Sequence, residues 1–207
     1  MEYLLIGLGN PGEAYATSRH NLGRVALERM YDRCAGVSWR TDTLAHARVA
    51  RGVTPAGTSV TFVLPDTFMN RSGVAVRPFV ERVEDLEHVI VLHDDIDLPE
   101  GTVRIAFDRG SGGHNGVRSV ERMFASKAFV RVRIGIAPVA ADGTISKPAK
   151  GDELDDFVLR PLRGPTWEKL LSVADIAARA TIAIIDEGRE AAMLRFHSIG
   201  AAPRPAA

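Results

Sequence analysis

Four side chains have the types and settings that hydrolytic chemistry near neutral pH requires: His20, Asp94, Asn10 and Asn115. A neutral imidazole is the natural base in that range, and a carboxylate on its second nitrogen fixes the tautomer and stabilises the protonated form. His20 stands at the start of a helical pattern. Asp94 ends the apolar run Val89-Ile90-Val91-Leu92, which reads as a strand buried enough to fix a carboxylate. Asn10 and Asn115 each lie in a glycine-rich turn. Asparagine offers neutral donors and acceptors that orient a water or hold an oxyanion without perturbing the histidine's charge. Asn beside Gly or Pro is equally an ordinary turn residue, and both readings stand at this point. No nucleophile is as well placed. Cys34 falls within an apolar helical pattern, and Ser111 sits in Gly-Ser-Gly rather than in a G-x-S-x-G elbow. The expectation is therefore attack by a base-activated water, without a covalent enzyme intermediate.

Two competing chemistries draw on the same residues. Gly7-Leu8-Gly9-Asn10-Pro11-Gly12 follows an apolar run and satisfies G-x-G-x-x-G. That fingerprint needs its last glycine to open a helix facing a pyrophosphate. Here Pro11 biases Asn10 away from helical angles, residues 13–20 carry no apolar helical stripe, and Asp32, at the spacing of a ribose ligand, lies inside a helical pattern. No nucleotide cofactor is expected. His93, Asp94, Asp95, Asp97 and His114 could ligate a metal. Successive strand residues point to opposite faces, so Asp94 and Asp95 cannot readily serve one ion, and no metal is expected either.

Behind the site residues stands an ordinary globular composition: 207 residues, 45% hydrophobic and 25% charged, with 26 basic and 26 acidic side chains. The net charge gives no global sign of a nucleic-acid partner, but its distribution is uneven. Residues 104–133 hold seven basic against two acidic side chains, and residues 81–100 hold eight acidic against one Arg. The basic segment reads as a solvated surface or as a footprint for phosphates. With Cys34 as the only cysteine there is no internal disulfide. No secretory signal and no apolar stretch long enough for a membrane span is evident, so a soluble intracellular protein is expected.

The elements needed to position these groups can be read in order. Residues 3–8 form a buried strand, and a helix is expected over about 21–34, stopped by Gly36. Residues 45–49 and 59–64 make an antiparallel hairpin around Pro55-Ala56-Gly57. A polar loop at 67–73 precedes a helical stretch over 74–83, in which Pro78 suits only a first turn or a kink. Strands follow at 89–92 and 103–107, then the glycine-rich 109–116 and a helix over about 117–125. Residues 129–136 alternate, with Arg131 and Arg133 on the polar face. Residues 138–153 read as a mobile loop, followed by a long helix over about 166–186 and a short helical tail. Strands alternating with helices define an α/β fold, a single-domain mixed β-sheet sandwiched by helices, over 1–199, with a disordered tail at 200–207. Ligands in such sheets bind outside the carboxyl ends of the strands. There 7–21, 93–97 and 109–116 are placed to converge, with 67–73 as a further wall.

Gly7–Gly12, Tyr15, Arg19-His20-Asn21, Thr67-Phe68-Met69-Asn70, His93-Asp94 with Asp97-Leu98-Pro99, and Gly112-Gly113-His114-Asn115-Gly116 occur in order and in register, with Asp156-Phe157-Val158-Leu159 beyond them. In this the chain resembles the bacterial-type peptidyl-tRNA hydrolases. The resemblance implies a monomeric cytoplasmic esterase of translation that needs no cofactor and splits the bond between a peptide and tRNA, recycling the tRNA. By position, His20 is then the general base and Asp94 its orienting partner, while Asn10 helps to tell N-blocked from free aminoacyl-tRNA. Tyr15, Phe68, Asn70, His114 and Asn115 line the substrate site, with Asn115 also placing the water or the oxyanion. Arg104 and Arg133 match basic positions that grip tRNA phosphate, but Ala106 departs from that pattern, with Arg109 the neighbour able to stand in. The other readings carried are a catalytically inactive RNA-binding protein on the same fold and a nucleotide-dependent oxidoreductase.

Overall fold

A computed structural model describes residues 2–140 and 142–197; the tail at 200–207 and the domain end at 199 lie outside the described residues. One eight-stranded mixed sheet runs through the chain, built from β1 (Tyr3–Gly7), β2 (Ala35–Gly36), β3 (Arg40–Asp42), β4 (Ala47–Val53), β5 (Ser59–Pro65), β6 (Val89–Pro99), β7 (Val103–Phe107) and β8 (Val130–Ala137). Its order is β2-β4-β5-β1-β6-β8-β7, with β3 also paired to β4. The central strands β5, β1, β6 and β8 are parallel, and β4 and β7 close the two sides antiparallel.

Parallel strands covered on both faces must be apolar on both, and β1 shows it. Leu5 packs with Leu22, Leu27 and Ile90 on the side of α1 (Leu22–Tyr31) and α5 (Gly164–Asp186). Leu4 and Ile6 pack with Val76 and Val117 on the side of α2 (Ser72–Val76) and α3 (Asn115–Phe124). α6 (Arg189–Phe196) seals the β7 side through the buried Phe196.

Several boundaries differ from the sequence reading. α1 stops at Tyr31 because Ala35–Gly36 enters the sheet edge, so Cys34 lies beyond the helix and not within it. The expected loop at 67–73 contains the 3-10 turn Met69–Arg71 and the start of α2. The expected helix to Val83 ends at Val76, and Pro78 falls in a separate 3-10 turn, Arg77–Phe79. Proline has no N–H for the next turn of an α-helix, so the helix cannot run through it. The stretch read as loop to residue 153 gives way to α4 (Asp152–Leu159), whose first turn holds Asp152, Glu153 and Asp155 at the positive end of the helix dipole.

The approach of α1 to the sheet is what brings the site together. A Cβ on Gly23 would lie 2.2 Å from the Leu92 carbonyl oxygen and 2.7 Å from that of Leu8. Only a residue without a side chain lets the first turn of α1 rest directly on the end of β1 and on β6. The Leu8 N–H donates to Leu92 O at 3.0 Å and the Arg24 N–H to Leu8 O at 3.1 Å, fixing that junction.

Candidate active site

On β6 the α1-facing series Ile90 and Leu92 continues to Asp94, which is 2% exposed midway along the strand, two residues past the Gly7–Leu92 pair at which β1 ends. His20 sits in the middle of the 3-10 turn Arg19–Asn21 that leads into α1. Its Nδ1 lies 3.0 Å from Asp94 Oδ1 and 3.1 Å from Oδ2. An ionised carboxylate only accepts, so Nδ1 carries the proton and Nε2 keeps its lone pair. His114 approaches the same carboxylate from the other side, its Nε2 donating to Asp94 Oδ1 at 3.0 Å. Its Nδ1 accepts from the Gly116 and Val117 N–H groups at 3.2 and 3.3 Å, capping α3. Both ring nitrogens are committed, and His114 is held neutral. The His20 and His114 rings are 4.9 Å apart, and His93, fully buried, stands edge-on to His114 at 4.8 Å with its Nδ1 on the Asp94 carbonyl oxygen.

The electrostatics follow from this arrangement. Burial works against a charged His20, but the Asp94 charge and hydrogen bond outweigh it and hold the imidazole above its usual range. Burial opposes the charge on Asp94 as well, and the two histidines overcome it, leaving the carboxylate well below its normal value. His114 and His93 are both pushed down, first by burial. One titratable base beside a permanent anion, with its neighbouring imidazoles held neutral, is the pattern of a general base.

These side chains open onto a cleft of about 630 Å³ lined by His20, Asp94, His114 and Asn115, by Arg118 and Lys150, and by Leu154, Asp155 and Val158. Asn115 is exposed there as the first residue of α3. Asn10 is held by structure: its N–H donates to Asn21 Oδ1 and its carbonyl accepts from Asn21 Nδ2, both at 2.9 Å. Its Oδ1 accepts the Met69 N–H at 2.8 Å, so its amide oxygen is occupied and Nδ2 is the group left to donate. That bond ties the glycine-rich loop to the 67–73 wall. Phe68, 58% exposed, and Asn70 flank Met69 at the surface, and Tyr15 is half-buried; neither these three nor Asn10 line the cleft.

The basic residues form a neighbouring feature. Arg133 Nε donates to Asp95 Oδ2 at 2.6 Å and lines a second cavity of about 630 Å³ with Ala106, Phe107, Arg109, Arg131 and Arg189. Arg104 donates to the Val103 carbonyl at 2.8 Å and does not line it. Arg131, assigned by alternation to a polar face, is 3% exposed, and the charges of Arg133, Asp95 and Glu121 act on it there. Arg189, absent from the sequence reading, reaches in from α6 with its guanidinium 4.2 Å above the Phe107 ring. The one sequence signal for this cavity is the basic run 104–133, and Arg189 lies far outside it.

The alternatives meet specific obstacles. Gly12, at φ 97°, opens only the 3-10 turn Glu13–Tyr15, and the first turn of α1 is packed onto the loop itself, with the Arg24 N–H donating to Leu8 O, so it is not the open helix N-terminus that a pyrophosphate requires. The residues weighed as metal ligands in the sequence are dispersed, with Asp95 on Arg133, Asp97 on Lys147, and His93 turned to a main-chain oxygen. His20, Asp94 and His114 instead place ligand atoms within 4.8 Å of one another. Yet a metal on His114 Nε2 would require a proton on Nδ1, where two backbone N–H groups already point. Burial, then Asp186, pushes the Cys34 thiol up to about 11, far from a thiolate nucleophile at neutral pH.

A mixed α/β sheet that holds an imidazole oriented by a buried carboxylate is an arrangement suited to base catalysis. The sequence profile of the peptidyl-tRNA hydrolase family matches residues 4–204. The peptidyl-tRNA hydrolase of Rubrobacter xylanophilus is 40% identical over 193 residues, covering 93% of this chain and 99% of that one. That of Mycobacterium bovis is 36% identical over 196 residues, covering 94% and 97%. The crystal structure of peptidyl-tRNA hydrolase from Acinetobacter baumannii matches with a TM-score of 0.81 at 29% identity, covering 95% of each chain. The chain belongs to the peptidyl-tRNA hydrolase family.

Proposed function

We propose that this protein hydrolyses the ester that joins a peptide, or an N-blocked amino acid, to the terminal ribose of tRNA, releasing both. The observation that carries the reading is the contact of His20 Nδ1 with both carboxylate oxygens of Asp94, at 3.0 and 3.1 Å, which leaves Nε2 as a base facing the cleft. His20 Nε2 takes a proton as water attacks the ester carbonyl, Asp94 stabilises the imidazolium, and the proton passes to the departing ribose oxygen. Base catalysis of this kind is worth about 10²–10⁴-fold. Asn115, exposed in the cleft, supplies a donor for the water or the oxyanion, and His114 holds the carboxylate from its far side. Asn10, through its remaining Nδ2, together with Tyr15, Phe68 and Asn70, receives the peptide and the 3′ end.

Phosphates of the tRNA fit the cavity that holds Arg133 and Arg109, with Arg104 on the adjoining strand. Arg189 makes up there for the uncharged Ala106. No helix among the described residues is long and apolar enough to cross a membrane. The same reading has the protein act as a monomer in the cytoplasm. A binding protein without catalysis has no use for a base–carboxylate pair of this geometry, and no observation favours it. The test is His20→Ala, which should abolish release of tRNA from peptidyl-tRNA while the unfolding transition stays cooperative. Substantial turnover by that variant would refute the assignment.

A further inference from the structure

The residues on either side of His20 are anchored in opposite directions. Asn21 is bonded to Asn10, whereas Arg19 reaches the other way, to α4. The Arg19 side chain, on a residue 8% exposed, donates from Nη1 to the Phe157 carbonyl at 3.3 Å and lays its guanidinium 4.0 Å above the Phe157 ring. Phe157 O is one of the last carbonyls of α4, which lack partners within the helix, and a cation there also suits the negative end of the dipole. The main chain repeats the connection, with the Leu162 N–H donating to Thr17 O at 3.1 Å and a β-bridge between Ser18 and Pro161. Arg19 Nε is buried without a partner among the described residues, a cost that an apolar side chain filling the same space would avoid.

We infer that Arg19 is a positioning residue for the hydrolysis: by capping α4 and stacking on Phe157, it holds the cleft wall that carries Leu154, Asp155 and Val158 against His20. The inference rests on the hydrolase reading. The wall and the base then move as one body, and an ester seated on the wall stays in line with Nε2. A misplacement of about 1 Å can cost about 10²-fold in rate. Loosening the clasp should therefore lower kcat more than it raises KM.

The test compares Arg19→Met, Phe157→Leu, which keeps the main-chain acceptor and guards against a variant that fails to fold, and the double variant. The assays are steady-state hydrolysis of an N-acetylated aminoacyl-tRNA and amide hydrogen exchange. Each single variant should lose about tenfold or more in kcat with KM within about threefold, and the double should be no worse than the poorer single. Amides of 152–159 should exchange faster while those of β6 keep their protection. Folded variants with kcat within about twofold of the parent, or losses that multiply in the double, would overturn the inference. A parent chain that cleaves no peptidyl-tRNA would overturn the hydrolase reading and this role with it. The exchange measurement shows separately whether the clasp itself fails.

Discussion

Replacing Asp94 by asparagine removes one charge and almost no volume, and the hydrogen bonds around it dictate the outcome. Asp94 Oδ1 accepts from His20 Nδ1 and from His114 Nε2, each at 3.0 Å. His114 has no freedom to change tautomer, because two backbone N–H groups point at its Nδ1. Its Nε2–H must therefore take the single oxygen of the new amide, and the NH₂ group turns to His20 Nδ1. That nitrogen then has to accept, the His20 proton moves to Nε2, and the lone pair that attacks water is lost. A wrong tautomer of this kind costs about 10³–10⁴-fold, or about 4–5 kcal/mol of transition-state stabilisation.

The pH dependence supplies a second reading of the same variant. In the parent, Asp94 overcomes burial to raise His20, so activity falls with decreasing pH through a midpoint above 6.5. Without the Asp94 charge, burial acts nearly alone on His20, and the residual acid limb should move below 6.5. Release of tRNA from an N-acetylated aminoacyl-tRNA, followed over about pH 5–9, measures both effects. An Asp94→Asn variant within about tenfold of the parent, or one with the acid limb unmoved, would refute the tautomer argument.

Three shorter expectations follow from other parts of the molecule. Gly23→Ala should destabilise the fold by about 3 kcal/mol or more, since its Cβ would meet two backbone carbonyl oxygens that cannot retreat; thermal unfolding measures it. Arg189→Ala should raise KM without lowering kcat and reduce the salt slope of tRNA binding by about 1, and an unchanged slope would remove Arg189 from the phosphate cavity. His93 and His114 are depressed in the fold, so their contribution to stability is full above the unfolded value near 6.5 and is lost as pH falls from there. His20 acts with the opposite sign, its contribution being full below 6.5 and lost as pH rises. The unfolding midpoint should therefore drop on acidification below 6.5, because His93 and His114 take up protons there on unfolding while His20 is protonated in both states.

How far the amino-acid pattern reveals this molecule depends on whether a feature is local. The strands β1, β5 and β6 are legible because burial on both faces leaves unbroken apolar runs. α4 is not, since its apolar stripe, Leu154, Phe157 and Val158, spans barely one turn among four acidic side chains and follows a stretch rich in proline and glycine. Arg131 misleads for a related reason: alternation along β8 tells which residues share a face but not that the fold buries the polar one at Arg131. Arg189 joins a cavity whose other arginines lie at 109–133, and contact across that separation is a product of topology alone. For Asn10, turn chemistry and site chemistry are equally open in the sequence, and its bond to the Met69 N–H, 59 residues away, is a tie between two loops that neither reading contains.

The sharing of Asp94 between two histidines carries a consequence that a simple dyad lacks. A carboxylate buried to this degree would ordinarily favour its protonated form, and a protonated Asp94 could not order the His20 tautomer. Two N–H donors converging on one oxygen keep it ionised, and only one of them belongs to a group that cycles its charge. His114 is therefore the constant half of the arrangement. It keeps its hydrogen bond to Asp94 whether His20 is neutral or protonated, and it borrows its own rigidity from the first turn of α3 through Gly116 and Val117. Orientation of the base is thus referred to the helix opposite the one that carries it. A change in the α3 N-terminus should reach His20 through His114, by its hydrogen bond to Asp94 and by the His114 ring 4.9 Å from that of the base.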